Sequence, residues 1–169
     1  SYYSPRWGFC LSFNAFKKLK KGTYKVKINS ELIDGSLTYG EIKLRGESDK
    51  EVFLSTYICH PSMANNELSG PVVTAALVKF IKSLESRKYS YRIVFIPETI
   101  GSITYLSKNI DDMKKNIIAG FNVSCIGDDR CYSYVSTRYG NTLTDKVSRH
   151  VLKNIDYVEY SFLDRGSDE

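Results

Sequence analysis

The sequence predicts a mixed, mainly parallel α/β fold, on three observations. Short runs at 52–58, 91–96 and 116–126 have the apolar, β-branched composition of buried strands. The stretch 71–86 places Val72, Val73, Ala76, Leu77, Phe80, Ile81 and Leu84 at the helical period. Strands separated by helices need crossover connections, which favour parallel pairing.

Taken in order, residues 1–50 differ in texture from the rest. An aromatic, irregular start is followed by a short helix over 12–21, with Phe13, Phe16 and Leu19 at helical spacing. Residues 23–29 alternate, with Tyr24, Val26 and Ile28 on one side and lysines on the other, which predicts a half-exposed strand. Asp34-Gly35 supplies a turn into a second strand over 36–44. Residues 1–50 therefore read as a small β-rich subdomain, with 45–50 as the linker into a core over 51–169. In that core a helix is expected at 102–108, a strand at 131–136, a helix at 142–152 and a last strand at 157–162.

Composition excludes little. The 169 residues suffice for a sizeable core, and a net charge of +5 is modest. The lysine run Lys17-Lys18-Leu19-Lys20-Lys21 lacks any nucleic-acid-binding signature, so no nucleic-acid partner is expected. No apolar run approaches the ~20 residues that cross a bilayer, so no membrane partner is expected either. The four cysteines form no CxxC pair, and Cys59 and Cys125 sit in apolar strand contexts as small buried side chains. Reduced thiols in a cytoplasmic protein are the simpler reading. The chain reads as a piece of a longer polypeptide, whose exposed sheet edge would favour a homo-oligomer.

Three polar residues fall at equivalent places. His60 follows the first core strand, Glu98 the second and Asp128 the third. Parallel strands bring their carboxyl ends to one rim, where ligands bind in open α/β folds. A histidine and a carboxylate holding a metal, beside a second carboxylate free to take a proton from water, suit metal-assisted hydrolysis. Each residue also has a plainer use. A histidine at a strand end is more often structural, Glu98 could favour a helix N-terminus, and Asp128 beside Arg130 could be a surface ion pair. His150 is assigned no chemistry, and neither Ser62 nor Ser69 sits in a G-x-S-x-G elbow.

The strings CHPSMANNELSGP and IPETIGS, with SYYSPRWGFC, DGSLTYGE and FLDRGSDE, resemble the aminopeptidase-like family of bacterial zinc exopeptidase relatives. Members of that family often occur with polysaccharide-biosynthesis proteins. The resemblance covers essentially the whole chain. It implies a phosphorylase/hydrolase-like three-layer α/β/α core, of which this chain would be a fragment with the inserted β domain. His60 matches the first zinc-ligand histidine, and Asn66 stands where an aspartate normally bridges two zincs. Glu98 matches the general base, while Thr99 replaces the ligand glutamate beside it. The third-strand ligand aligns with Ser124, leaving Asp128 as a substitute nearby. Asp168 resembles a pocket aspartate, and the last zinc histidine would lie beyond Glu169. Neutral side chains at Asn66 and Thr99 cannot offset the repulsion between two zincs, so one ion at most is expected. The implied activity is hydrolysis of a small peptide or amide by metal-activated water. The runner-up is a binding or scaffold domain that kept the fold and lost the metal.

Overall fold

The computed structural model describes residues 8–60 and 63–164, which form two compact units divided between Gly35 and Ser36. In the first, the regular element is helix α1 (Phe13–Lys18), capped by the Ser12 hydroxyl accepting from the Ala15 N–H. Residues 23–29 form no strand, although their alternation predicts one. Tyr24, Val26 and Ile28 stay exposed, so the pattern has no apolar face to fold against.

The second unit holds a four-stranded sheet in the order β1-β3-β2-β4. Its strands are β1 (Gly40–Leu44), β2 (Ser48–Tyr57), β3 (Tyr89–Ile96) and β4 (Ile117–Asn122). β2 pairs in parallel with both β3 and β4, whereas β1 runs antiparallel to β3, so the sheet is mixed and mainly parallel. The boundary expected at residue 50 therefore falls inside the sheet. β1 is a core strand, and the expected linker already contains the start of β2. There the Ser48 N–H donates to the Lys88 carbonyl.

Helix α2 (Ser69–Ser83) packs on one face of the sheet, where Val78 and Ile81 meet Leu54 and Ile93. Helix α3 (Ile100–Asn116) covers the other face, with Tyr105 and Met113 against Val94 and Ile96. Alternation along β3 explains the split, since neighbouring residues of a strand point to opposite sides. Ile93 and Val94 are both fully buried, on opposite faces. The result is three layers. α3 runs well past the expected 102–108; its second half is polar and buries only Met113, so it carries little apolar signal. Buried Arg92 ties this layer together, bonding Glu51 on β2 at 3.1 Å and Asp112 on α3. Burial would lower the Arg92 pKa, but the two carboxylates outweigh it and hold the guanidinium charged.

Beyond β4, strands β5 (Tyr132–Val135) and β6 (Tyr157–Tyr160) pair in parallel around helix α4 (Leu143–Leu152). The Thr144 hydroxyl accepts the Gly120 N–H, linking α4 to β4. Among the described residues no helix is long and apolar enough to cross a membrane.

At Gly70, in the first turn of α2, the chain passes close to itself. A Cβ there would lie 2.3 Å from the Val123 carbonyl oxygen and 2.4 Å from the Thr56 hydroxyl. The Val123 carbonyl cannot yield cheaply, because Val123 is itself held by its N–H to the Ser55 carbonyl. Gly70→Ala should cost about 2–3 kcal/mol of stability, read as a lower urea midpoint with an unchanged slope.

Candidate functional site

β2 and β3 are hydrogen-bonded neighbours with Tyr57 opposite Ile96, so the residues leaving their carboxyl ends emerge side by side. That register brings His60 to Glu98 across 38 positions of sequence, with His60 Nε2 3.7 Å from Glu98 Oε2. Backbone contacts fix both approaches. The Ile58 N–H donates to the Ile96 carbonyl, and the Glu98 N–H donates to Cys59 Sγ at 2.7 Å. Thr99 follows with φ of 51°, a costly conformation for a β-branched residue, and it turns the chain from β3 into α3.

A second acid completes the centre, and it is one that sequence reasoning missed. Glu67 is only 5% exposed. Its Oε2 accepts the Cys59 N–H at 2.6 Å, while its Oε1 lies 4.0 Å from His60 Nε2 and has no hydrogen-bond partner. By residue type Asn65-Asn66-Glu67 suggests a polar turn. Instead Ala64–Leu68 form a π-helical turn that runs straight into α2. A signal was available, because Glu67 extends the buried stripe Gly70, Thr74, Val78, Ile81 at helical spacing.

The imidazole thus faces two carboxylates on a rim otherwise built of apolar side chains. Burial pushes the Cys59 thiol up, and the charges of Glu67 and Glu98 add to this against the lowering effect of the Glu98 N–H. Cys59 therefore stays a thiol and is a poor nucleophile.

The other expected ligands do not gather here. Asp128 lies beyond β4 and accepts from the Arg130 N–H, Nε and Nη2 at 3.0–3.2 Å. Those hydrogen bonds hold its carboxyl below the usual range, in an exposed local ion pair. Its remaining contact is the Asn65 amide at 3.5 Å, and the Asn65 Oδ1 in turn accepts the Gly127 N–H. Asn66 donates to Cys125 Sγ, and its Oδ1 is buried without a partner. Cys125 is exposed and has a φ of 50°, and β4 stops at Asn122 rather than continuing to 126. Asp168 lies outside the described residues. Among the described residues no three His, Cys, Asp or Glu side chains group closely enough to hold a metal ion. With one imidazole and Asp128 turned to Arg130, the residues present do not fit a zinc centre by themselves.

Comparison with known proteins adds the following. A family model described as "Domain of unknown function (DUF4910)" matches residues 10–169. A relative from Clostridium acetobutylicum, named "Putative polysaccharide biosynthesis protein with aminopeptidase-like domain", is 46% identical over 171 residues. This chain is matched over its whole length and spans 39% of that relative. A crystal structure described as a "putative peptidase" from the same organism superposes with a TM-score of 0.83 at 46% identity. It covers 99% of this chain, which spans 40% of that one.

Proposed function

The chain belongs to the DUF4910 family, and from that premise we propose that it carries part of the active site of an aminopeptidase-like amide hydrolase. The observation that carries this reading is the 3.7 Å approach of His60 to Glu98 at the carboxyl rim of the parallel strands. The relative's aminopeptidase-like name and the solved neighbour's description as a peptidase support it.

In this reading Glu98 is the general base. Its carboxylate takes a proton from the attacking water as oxygen bonds to the amide carbon, and returns it to the nitrogen as the C–N bond breaks. His60 holds that carboxylate in place, and Glu67 adds negative charge on the other side of the ring. The residues present do not assemble a site for zinc.

A second reading has its own support. The neutral Asn66, hydrogen-bonded to Cys125, stands where the resemblance implies a bridging aspartate. A domain that binds without cleaving would look like this. Aminoacyl p-nitroanilide turnover by the full-length protein, assayed with zinc added and with chelator, separates the two. Turnover that disappears in Glu98→Gln supports the hydrolase. Saturable binding with no turnover under either condition leaves the binding domain.

A further inference from the structure

A hollow of about 640 Å3 lies at the amino ends of the parallel strands, on the rim opposite His60. Residues 51–57 of β2 run from one rim to the other, roughly 20 Å of strand. The volume is that of a small-ligand site. Four cations line it from separate parts of the chain: Lys43 in β1 and Arg45 just past it, Lys50 near the start of β2, and Lys115 at the end of α3. Leu44 and Tyr91 add an apolar wall. The acids of the lining do not balance this charge. Glu51 is held by buried Arg92 at 2.7 Å, which leaves Asp49. Lys43 lies 3.4 Å from Glu41, and Lys50 Nζ donates to the Lys115 carbonyl at 2.9 Å. Among the described residues, Arg45 and Lys115 make no ion pair. A lone surface lysine is simply solvated, but four cations around one hollow repel one another, and an anion removes that repulsion. The frame beneath Arg45 is already fixed. Its carbonyl accepts from Arg87 Nε at 3.2 Å, the Gly46 N–H donates to Ser90 Oγ at 3.0 Å, and Ser90 Oγ donates to the Ser48 carbonyl at 2.8 Å. A Cβ at Gly46 would lie 2.3 Å from the Tyr89 carbonyl oxygen, so this turn is pressed against β3. Only side chains have to order when a ligand arrives, which keeps the cost of binding low.

We propose that this hollow binds a small phosphate ester. The phosphate bridges the Arg45 guanidinium and the lysine ammoniums, and the carbon skeleton lies against Leu44 and Tyr91. Charge selects the head group. A phosphate monoester brings nearly two negative charges at neutral pH where a carboxylate brings one, which suits several cations. The planar guanidinium also meets two phosphate oxygens at once. The wall selects the rest, because a bare anion would leave Leu44 and Tyr91 facing water. This site stands apart from the amide-hydrolase reading, and either can fail alone.

Calorimetric titration of the full-length protein with phenyl phosphate, inorganic phosphate and phenol tests it. Phenyl phosphate should bind about tenfold or more tighter than either comparison compound, the scale of one charged hydrogen bond. Arg45→Ala and Lys115→Ala should each remove most of its advantage over phenol. Both side chains are exposed and make no ion pair, so neither change threatens the fold. Lys79→Ala takes the same charge from an exposed position of α2 and should change nothing. Phenyl phosphate held no better than phenol or inorganic phosphate would overturn the proposal, as would an equal loss in Lys79→Ala. An oligonucleotide that binds more tightly than phenyl phosphate, and loses that binding in Arg45→Ala, would also overturn it, since the cations would then follow a phosphate backbone.

Discussion

Glu98→Gln should lower kcat for aminoacyl amides by two to four orders of magnitude while leaving the unfolding midpoint where it was. That range is what a positioned general base contributes, about 2.7–5.5 kcal/mol of transition-state stabilisation. Glutamine keeps the shape and loses only the ability to accept a proton. The backbone of Glu98 is held independently, through its N–H to Cys59 Sγ, so the rim should keep its course. KM should change little, because the lost interaction belongs to the transition state. A Glu98→Gln enzyme with near-normal kcat would remove Glu98 from the chemistry.

Asp145→Ala should cost about 3–5 kcal/mol of stability, a large part of what holds a domain of this size. Asp145 is fully buried. It accepts from the Tyr134 and Thr142 hydroxyls, the Thr137 N–H and hydroxyl, and the Thr142 N–H, at 2.6–2.8 Å. These contacts join β5, the following loop and the start of α4 around one carboxylate. Removing it strands several buried donors at once. Burial alone would raise the Asp145 pKa, but the hydrogen bonds from Thr137, Tyr134 and Thr142 outweigh it and hold the carboxyl far below its usual range. Its folded pKa is therefore depressed, and the sign follows. The contribution is complete above about pH 5 and is lost as acid is added, because the unfolded chain takes up a proton that the native network refuses. The unfolding free energy of the parent protein, read from urea titrations, should fall below pH 5 by up to about 1.4 kcal/mol per pH unit from this group. In Asp145→Ala that part of the slope should be absent.

How much of this was legible in the sequence differs from residue to residue. The strand at 52–58 and the helix at 71–86 announce themselves because both carry apolar residues at a clear period, and both are present. His60 and Glu98 were legible for the same reason, since each follows a core strand directly and parallel pairing does the rest. β1 was visible as an alternating strand, but alternation reports a half-buried face and not a partner. Only the structure shows it antiparallel to β3. The start of β2 is charged and reads as a linker, because Asp49 and Lys50 at that end are exposed and carry no apolar signal. Glu67 was hidden by its neighbours, two asparagines that look like turn residues until the π-turn buries the acid behind them. Asp128 was misplaced because a local ion pair to Arg130 competes with any distant site, and proximity in sequence wins. Asp145 could have been found. Thr142 and Asp145 have the spacing of a capping box, and the structure forms one.

The central claim is that the His60 ring and the Glu98 carboxylate work as one unit, and a double-mutant cycle addresses it most directly. kcat/KM is measured for the parent protein, His60→Ala, Glu98→Gln and the double variant, with amide substrate and constant pH. If the pair acts as a unit, the double variant is hardly slower than the worse single variant, leaving a coupling energy above about 1 kcal/mol. Losses that simply multiply would mean the two side chains act separately, and the single centre described here would be contradicted.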